Sequence, residues 1–293
     1  MTTIDAETMR RIRRIELKTR RLVQANLVGA YQALFKGRGM AFDAVRPYEP
    51  GDDVRDIDWN VTARSGGEPF VKRYTEEREL TVLLVLDASA SCFFGTTGQQ
   101  KQALAAELSA ALALAAIRNN DRVGLLVFSA GIEQFTPPRR GRNHILRLIR
   151  DVLVVQPTGT GTNLALALKT ANNLLKQRAI VFVISDFLAA KEDYTTELLV
   201  ISRKHDVIAL VLTDPREQTW DAAGLLTLRD AETDALAWVD TDSAAWRTAF
   251  AARAARFAAM RDAALTRAGV ARLALSTDSD YLTALVQFFQ RRR

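Results

Sequence analysis

One cysteine, Cys92, excludes an internal disulfide and is consistent with a reducing cytoplasm. Two histidines, His144 and His205, leave too few ligands for a zinc site and too few bases for a Ser-His-Asp triad. No Gly-x4-Gly-Lys-Ser/Thr stretch occurs, so ATP hydrolysis would belong to a partner. No apolar run approaches the ~18 residues of a membrane span, and the start lacks the apolar segment of a signal peptide. Any catalysis or metal binding therefore rests on carboxylates, hydroxyls and backbone groups. The expected location is the cytoplasm.

What remains is ordinary for a globular chain. Its 293 residues are 48% hydrophobic and 25% charged, enough to bury a full core. The net charge of +6 is uneven. Arg10, Arg11, Arg13, Arg14, Lys18, Arg20 and Arg21 crowd the start, and Arg291, Arg292 and Arg293 end the chain. Such clusters can meet nucleic acid or anionic lipid. No aromatic residues interleave with them to stack bases, and a solvated helix face is the simpler reading.

The chain is organised around Thr81-Val-Leu-Leu-Val-Leu-Asp-Ala-Ser-Ala-Ser91. Six apolar or β-branched residues run unbroken into Asp87, which reads as a strand buried on both faces of a parallel sheet. Further strands are expected at 122–128, 132–135, 179–184, 207–212 and 273–275. Helices are expected at 99–118, 142–155, 163–177, 194–204, 243–267 and 280–289. This alternation predicts an α/β fold, a doubly wound, mostly parallel sheet with helices on both faces. Residues 225–228 and 236–239 read as a short hairpin.

Residues 80–293 form this domain in the reading; 1–79 form an added region, with a long helix at 6–35 and short strands near 40–46 and 68–74. Between those strands, Asp52, Asp53, Asp56 and Asp58 alternate with arginines. They read as a salt-bridge network over a buried Trp59 rather than a catalytic cluster.

Asp87, Ser89 and Ser91, Thr162 in a Gly-rich loop, and Asp186 after another buried strand all fall at the edge where open α/β sheets bind ligands. All five carry oxygen donors, which suit Mg²⁺ or Mn²⁺, with Ca²⁺ a third hard candidate. Two carboxylates about neutralise a divalent ion and leave it an appetite for one more anionic oxygen, such as an Asp or Glu of a protein partner. Asp87 as the nucleophile of a Mg²⁺-dependent phosphoryl-transfer enzyme is the alternative. Ser89 stands where those enzymes carry a second Asp, which removes the general acid. The plainest reading is that Asp87 and the serines only cap the following turn.

The Asp-x-Ser-x-Ser, Thr and Asp series resembles the metal-ion-dependent adhesion site of the von Willebrand factor A domain. By that resemblance Asp87, Ser89, Ser91, Thr162 and Asp186 are metal ligands, direct or through water. The third loop reads Ser-Asp-Phe where many such domains have Thr-Asp-Gly, and Phe187 leaves less freedom for a backbone swing. Val45-Arg-Pro-Tyr48, Pro50-Gly-Asp-Asp-Val-Arg-Asp-Ile-Asp-Trp59, Phe70-Val-Lys-Arg73, Ile117-Arg-Asn-Asn-Asp-Arg-Val-Gly124 and Ser185-Asp-Phe187 resemble a bacterial family catalogued as domain of unknown function number 58. That resemblance implies a non-enzymatic protein, often encoded beside an AAA+ ATPase of the MoxR type. It therefore implies a chaperone or assembly partnership.

Overall fold

The computed structural model describes residues 27–35, 41–75, 79–96, 98–155, 157, 159, 161–188, 193–230 and 234–292. The apolar run forms strand β3 (Thr81–Asp87), and every residue after Thr81 is buried. Strands β4 (Arg122–Phe128), β6 (Ile180–Ser185) and β7 (Asp206–Thr213) have the same character. Apolar on both faces, such strands can only lie inside a sheet covered on both sides. Together with β5 (Ile132–Arg139) and β10 (Ala271–Ser276) they form a six-stranded sheet of order β10-β7-β6-β3-β4-β5. All pairings are parallel except β4 with β5.

Chain order runs outward from β3 through β4 to β5, then returns to β6 on the opposite side of β3. The switch point lies between β3 and β6, the expected place for a binding crevice. Strand β5 runs past its expected end at 135 and takes in Pro137 and Pro138, tolerable because it is an edge strand. Gly124 on β4 makes room for it: a Cβ there would come within 2.9 Å of the Pro138 ring.

Two apolar layers cover the sheet. One face carries α1 (Val28–Phe35), α3 (Lys101–Arg118), α4 (Arg142–Val154) and α8 (Tyr281–Arg291), packed on Val82, Leu84 and Leu86. The other carries α5 (Leu164–Leu174), α6 (Thr195–Lys204) and the C-terminal end of α7 (Ala244–Arg267), packed on Leu83 and Val85. Ser243 caps α7 as expected, and Gly269 follows it at a φ of 66°. Strands β8 (Leu225–Arg229) and β9 (Leu236–Asp240) form the separate hairpin.

Helix α1 contributes Ala30, Tyr31, Leu34 and Phe35 to the first layer, and Leu27 just before it joins them. The rest of the expected helix at 6–35, with its arginine cluster, lies outside the described residues. Strands β1 (Ala41–Pro47) and β2 (Phe70–Thr75) pair antiparallel beside the short helix α2 (Trp59–Arg64). Here one expectation fails: Trp59 is 67% exposed. Asp58 caps α2 by accepting from the Asn60 and Val61 N–H groups, which makes Trp59 the first helical residue, facing solvent. The acids of this stretch have local structural partners. Asp52 makes a bidentate pair with Arg46 at 2.8 and 2.6 Å, and Asp53 caps the turn at Val54–Asp56.

Candidate functional site

Asp87 ends β3 and is 1% exposed. Its Oδ1 accepts from the Ser89 N–H at 2.9 Å, which bends the chain out of the sheet, and its Oδ2 accepts from the Ser185 hydroxyl at 2.6 Å. The second bond crosses the switch point from β6 to β3. A single turn of 3₁₀ helix, Ala90–Phe93, then brings the Ser89 and Ser91 Oγ atoms within 3.1 Å of each other. Two hydroxyls and a carboxylate thus occupy one short loop. Cys92 is fully buried behind it, its Sγ 4.0 Å from the Ser89 Oγ, and burial pushes its thiol pKa well up. It is a packed residue rather than a reactive thiol.

Asp186 follows β6 and is 2% exposed. Its Oδ1 accepts from the Leu188 N–H at 3.0 Å. Between them Phe187 adopts a φ of 57°, in the left-handed region that glycine tolerates best. Its N–H donates to the Ser185 Oγ at 2.9 Å, and its ring packs 6.1 Å from that of Tyr194. Ring burial therefore offsets backbone strain. Phe187→Ala is expected to cost about 3 kcal/mol in urea denaturation. Phe187→Gly is expected to cost about 1 kcal/mol less than Ala, the reverse of the usual Gly–Ala order, because it relieves the strain.

Thr162 is half-buried in the loop before α5. Gly161 enters that loop at a φ of 101°. The next residue, Asn163, donates its N–H to the Ser129 carbonyl at 2.7 Å, just beyond β4. The structure thus joins Asp87 and Ser89 to Ser91 and, through Ser185, to the Asp186 loop. Thr162 stands on the same sheet edge, on the β4 side.

Sequence reasoning missed two members of this neighbourhood. Lys101, the first residue of α3, has a side chain with no exposure at all. Its Nζ donates to Asp186 Oδ2 at 2.7 Å and to Glu217 Oε1 at 2.5 Å. Glu217 lies in the 3₁₀ turn Pro215–Glu217 after β7, and its Oε2 accepts from the Asp214 N–H at 3.0 Å. Asp214, fully buried, also accepts from Thr96, Thr277 and Arg216. The signal available in sequence was a lone Lys opening a helix made mostly of Ala and Leu.

Electrostatics follow from this packing. Burial, with the Asp186 charge next in weight, pushes the Asp87 carboxyl up to about 6 against the hydrogen bonds from Ser185 and Ser89. Burial opposes the charge on Lys101, but Asp186 and Glu217 outweigh it, and its pKa is raised. Burial also raises Glu217, partly offset by Lys101. When all are ionised, three carboxylates against one ammonium leave a surplus of two negative charges in a nearly dry region.

Among the described residues no three His, Cys, Asp or Glu side chains gather as a metal-holding group. A cation here would need the serine hydroxyls as well. The donors fit one: they are all oxygen, two are carboxylates in repulsion, and the converging hydroxyls stand beside them.

A family profile described as "Protein of unknown function DUF58" matches residues 44–260. An uncharacterized protein of Mycobacterium tuberculosis is 32% identical over 291 residues, covering 99% of this chain and 91% of that protein. An uncharacterized Mycobacterium avium protein is 31% identical over 159 residues, covering 54% of this chain and 93% of its own length. Among solved structures, the conserved hypothetical protein BatB of Bacteroides thetaiotaomicron aligns with a TM-score of 0.48 at 13% identity, over 73% of this chain and 98% of that one. The VWA domain of SpRpn10 aligns with a TM-score of 0.39 at 14% identity, over 71% of this chain and 93% of that one. No helix among the described residues is long and apolar enough to cross a membrane.

Proposed function

The chain belongs to the DUF58 family of proteins of unknown function, and we propose that it is a non-catalytic, metal-dependent protein-interaction module. Asp87, Ser89, Ser91, Thr162 and Asp186 would hold Mg²⁺ or Mn²⁺, directly or through water. A bound ion supplies Lewis acidity toward one further anionic oxygen, offered by an Asp or Glu of a protein partner. The observation that carries the reading is the pair of converging hydroxyls beside two buried carboxylates that repel each other. The resemblance of the chain to its family supports a partnership with an AAA+ ATPase of the MoxR type, to which ATP hydrolysis would belong.

The enzymatic alternative has less support. Ser89 stands where such enzymes carry the second Asp that acts as general acid. The test is calorimetric titration of Mn²⁺ into the wild type and Ser89→Ala at pH 7.5. The wild type is expected to bind one ion. Ser89→Ala is expected to bind roughly tenfold or more weakly, since one ligand is lost. Equal binding by both proteins would remove Ser89 from the site.

A further inference from the structure

Lys101 breaks several rules at one position. It is a fully buried lysine, and it opens an 18-residue helix, where the helix dipole disfavours a cation. Gln100 before it makes no side-chain cap, so helix chemistry offers no reason for a charge there. Its reason is tertiary: two carboxylates from different crossovers, at 2.7 and 2.5 Å. One is the proposed metal ligand Asp186. The other, Glu217, is fixed by its own turn through the Asp214 N–H. Local rules fail together where a residue serves a site.

We propose that Lys101 is a tethered cation of this site: its ammonium competes with a divalent ion for Asp186 and retreats onto Glu217 when the ion binds. The inference rests on the metal reading above. The geometry provides both ends of the exchange. The ammonium already touches the retreat position at 2.5 Å, so moving off Asp186 requires no new partner. Without metal it prevents a bare Asp186–Asp87 pair from facing each other unrelieved. With metal it stays paired and leaves Asp186 to the ion or its water. Affinity is thereby held below what the oxygen donors alone would reach. Anything that moves the Pro215–Glu217 turn changes the competition.

The test titrates Mn²⁺ alone into the full-length wild type, Lys101→Met and Glu217→Gln, followed by calorimetry and by thermal shift with and without the metal. Lys101→Met is expected to bind roughly tenfold or more tightly, because a positive charge leaves the site. Glu217→Gln, which leaves the ammonium on Asp186 alone, is expected to bind more weakly by a similar factor. Charge removal alone shifts affinity in these two directions, so the retreat is read from the double variant: adding Glu217→Gln to Lys101→Met should weaken Mn²⁺ binding far less than adding it to the wild type, and an equal loss in both backgrounds overturns the role. If the wild type binds and Lys101→Met binds no better, the tethered-cation role is overturned while the metal site stands. If neither protein takes up Mn²⁺, both fall. Should Lys101→Met fail to fold, Glu217→Gln decides: unchanged or tighter binding overturns the role.

Discussion

Asp87→Asn is expected to make the metal-free protein more stable at pH 7 and to abolish divalent-ion binding. The carboxyl, 3.8 in its ordinary state, is raised to about 6 in the fold, chiefly by burial and then by Asp186. A group raised in this way contributes stability that is fully present below its unfolded pKa and lost as the pH rises through its folded one. Between about pH 4 and 6 the wild type should therefore lose stability as pH rises, by about 3 kcal/mol in total. Asparagine carries no charge to desolvate and can still accept from the Ser89 N–H. Its amide would donate to the Ser185 Oγ rather than accept from it, so the Ser185 hydroxyl hydrogen loses its acceptor, at a cost of about 1 kcal/mol. The net expectation at pH 7 is a gain of about 2 kcal/mol, which reverses below pH 4, where the carboxyl is neutral and only the cost of about 1 kcal/mol remains. Urea unfolding in chelator at pH 7 and pH 4 checks it. A variant less stable than wild type at pH 7 would mean that Asp87 is not held against its charge. A stabilising change that removes binding is the usual signature of a functional strain.

Tyr31→Ala is expected to cost about 4 kcal/mol, the second large effect. Tyr31 is fully buried, with ring centroids 4.8 Å from Phe35 and 6.2 Å from Phe289. Its hydroxyl donates to Asp121 Oδ2 at 2.8 Å. Asp121 also accepts from the Leu80 N–H at 3.0 Å and from Asn119 Nδ2 at 3.1 Å, fixing the entrances to β3 and β4. Tyr31→Phe keeps the ring and should cost about 1–2 kcal/mol, the loss of one donor from a buried carboxylate. Thermal and urea denaturation separate the two variants. Helix α1 lies in the N-terminal region yet fills the layer beneath α8. A chain starting at residue 80 should therefore expose that layer and aggregate rather than fold as a monomer.

What could be read from sequence and what could not divide along physical lines. The runs at 81–87 and 180–185 were legible because burial on both faces leaves no alternation to misread, and the oxygen-bearing residues at their ends follow from sheet geometry. Lys101 was not legible. Its burial depends on carboxylates 85 and 116 positions further along the chain, which no local pattern reports. Trp59 was misread for the opposite reason: a local cap at Asp58 governs its direction, and hydrophobicity alone put it inside. The end of β5 was cut short because prolines ordinarily stop a strand, and edge position becomes known only from the assembled sheet.

Those two prolines have a consequence for recognition. Pro137 and Pro138 together oppose Gly124, where the pairing with β4 loses its register, and neither has an N–H to offer an incoming strand. A second copy, or any extended peptide, meets an incomplete ladder there and gains little by joining it. Association on this flank through main-chain augmentation, and polymer growth by the same route, is thereby discouraged, and side chains are left to select what binds.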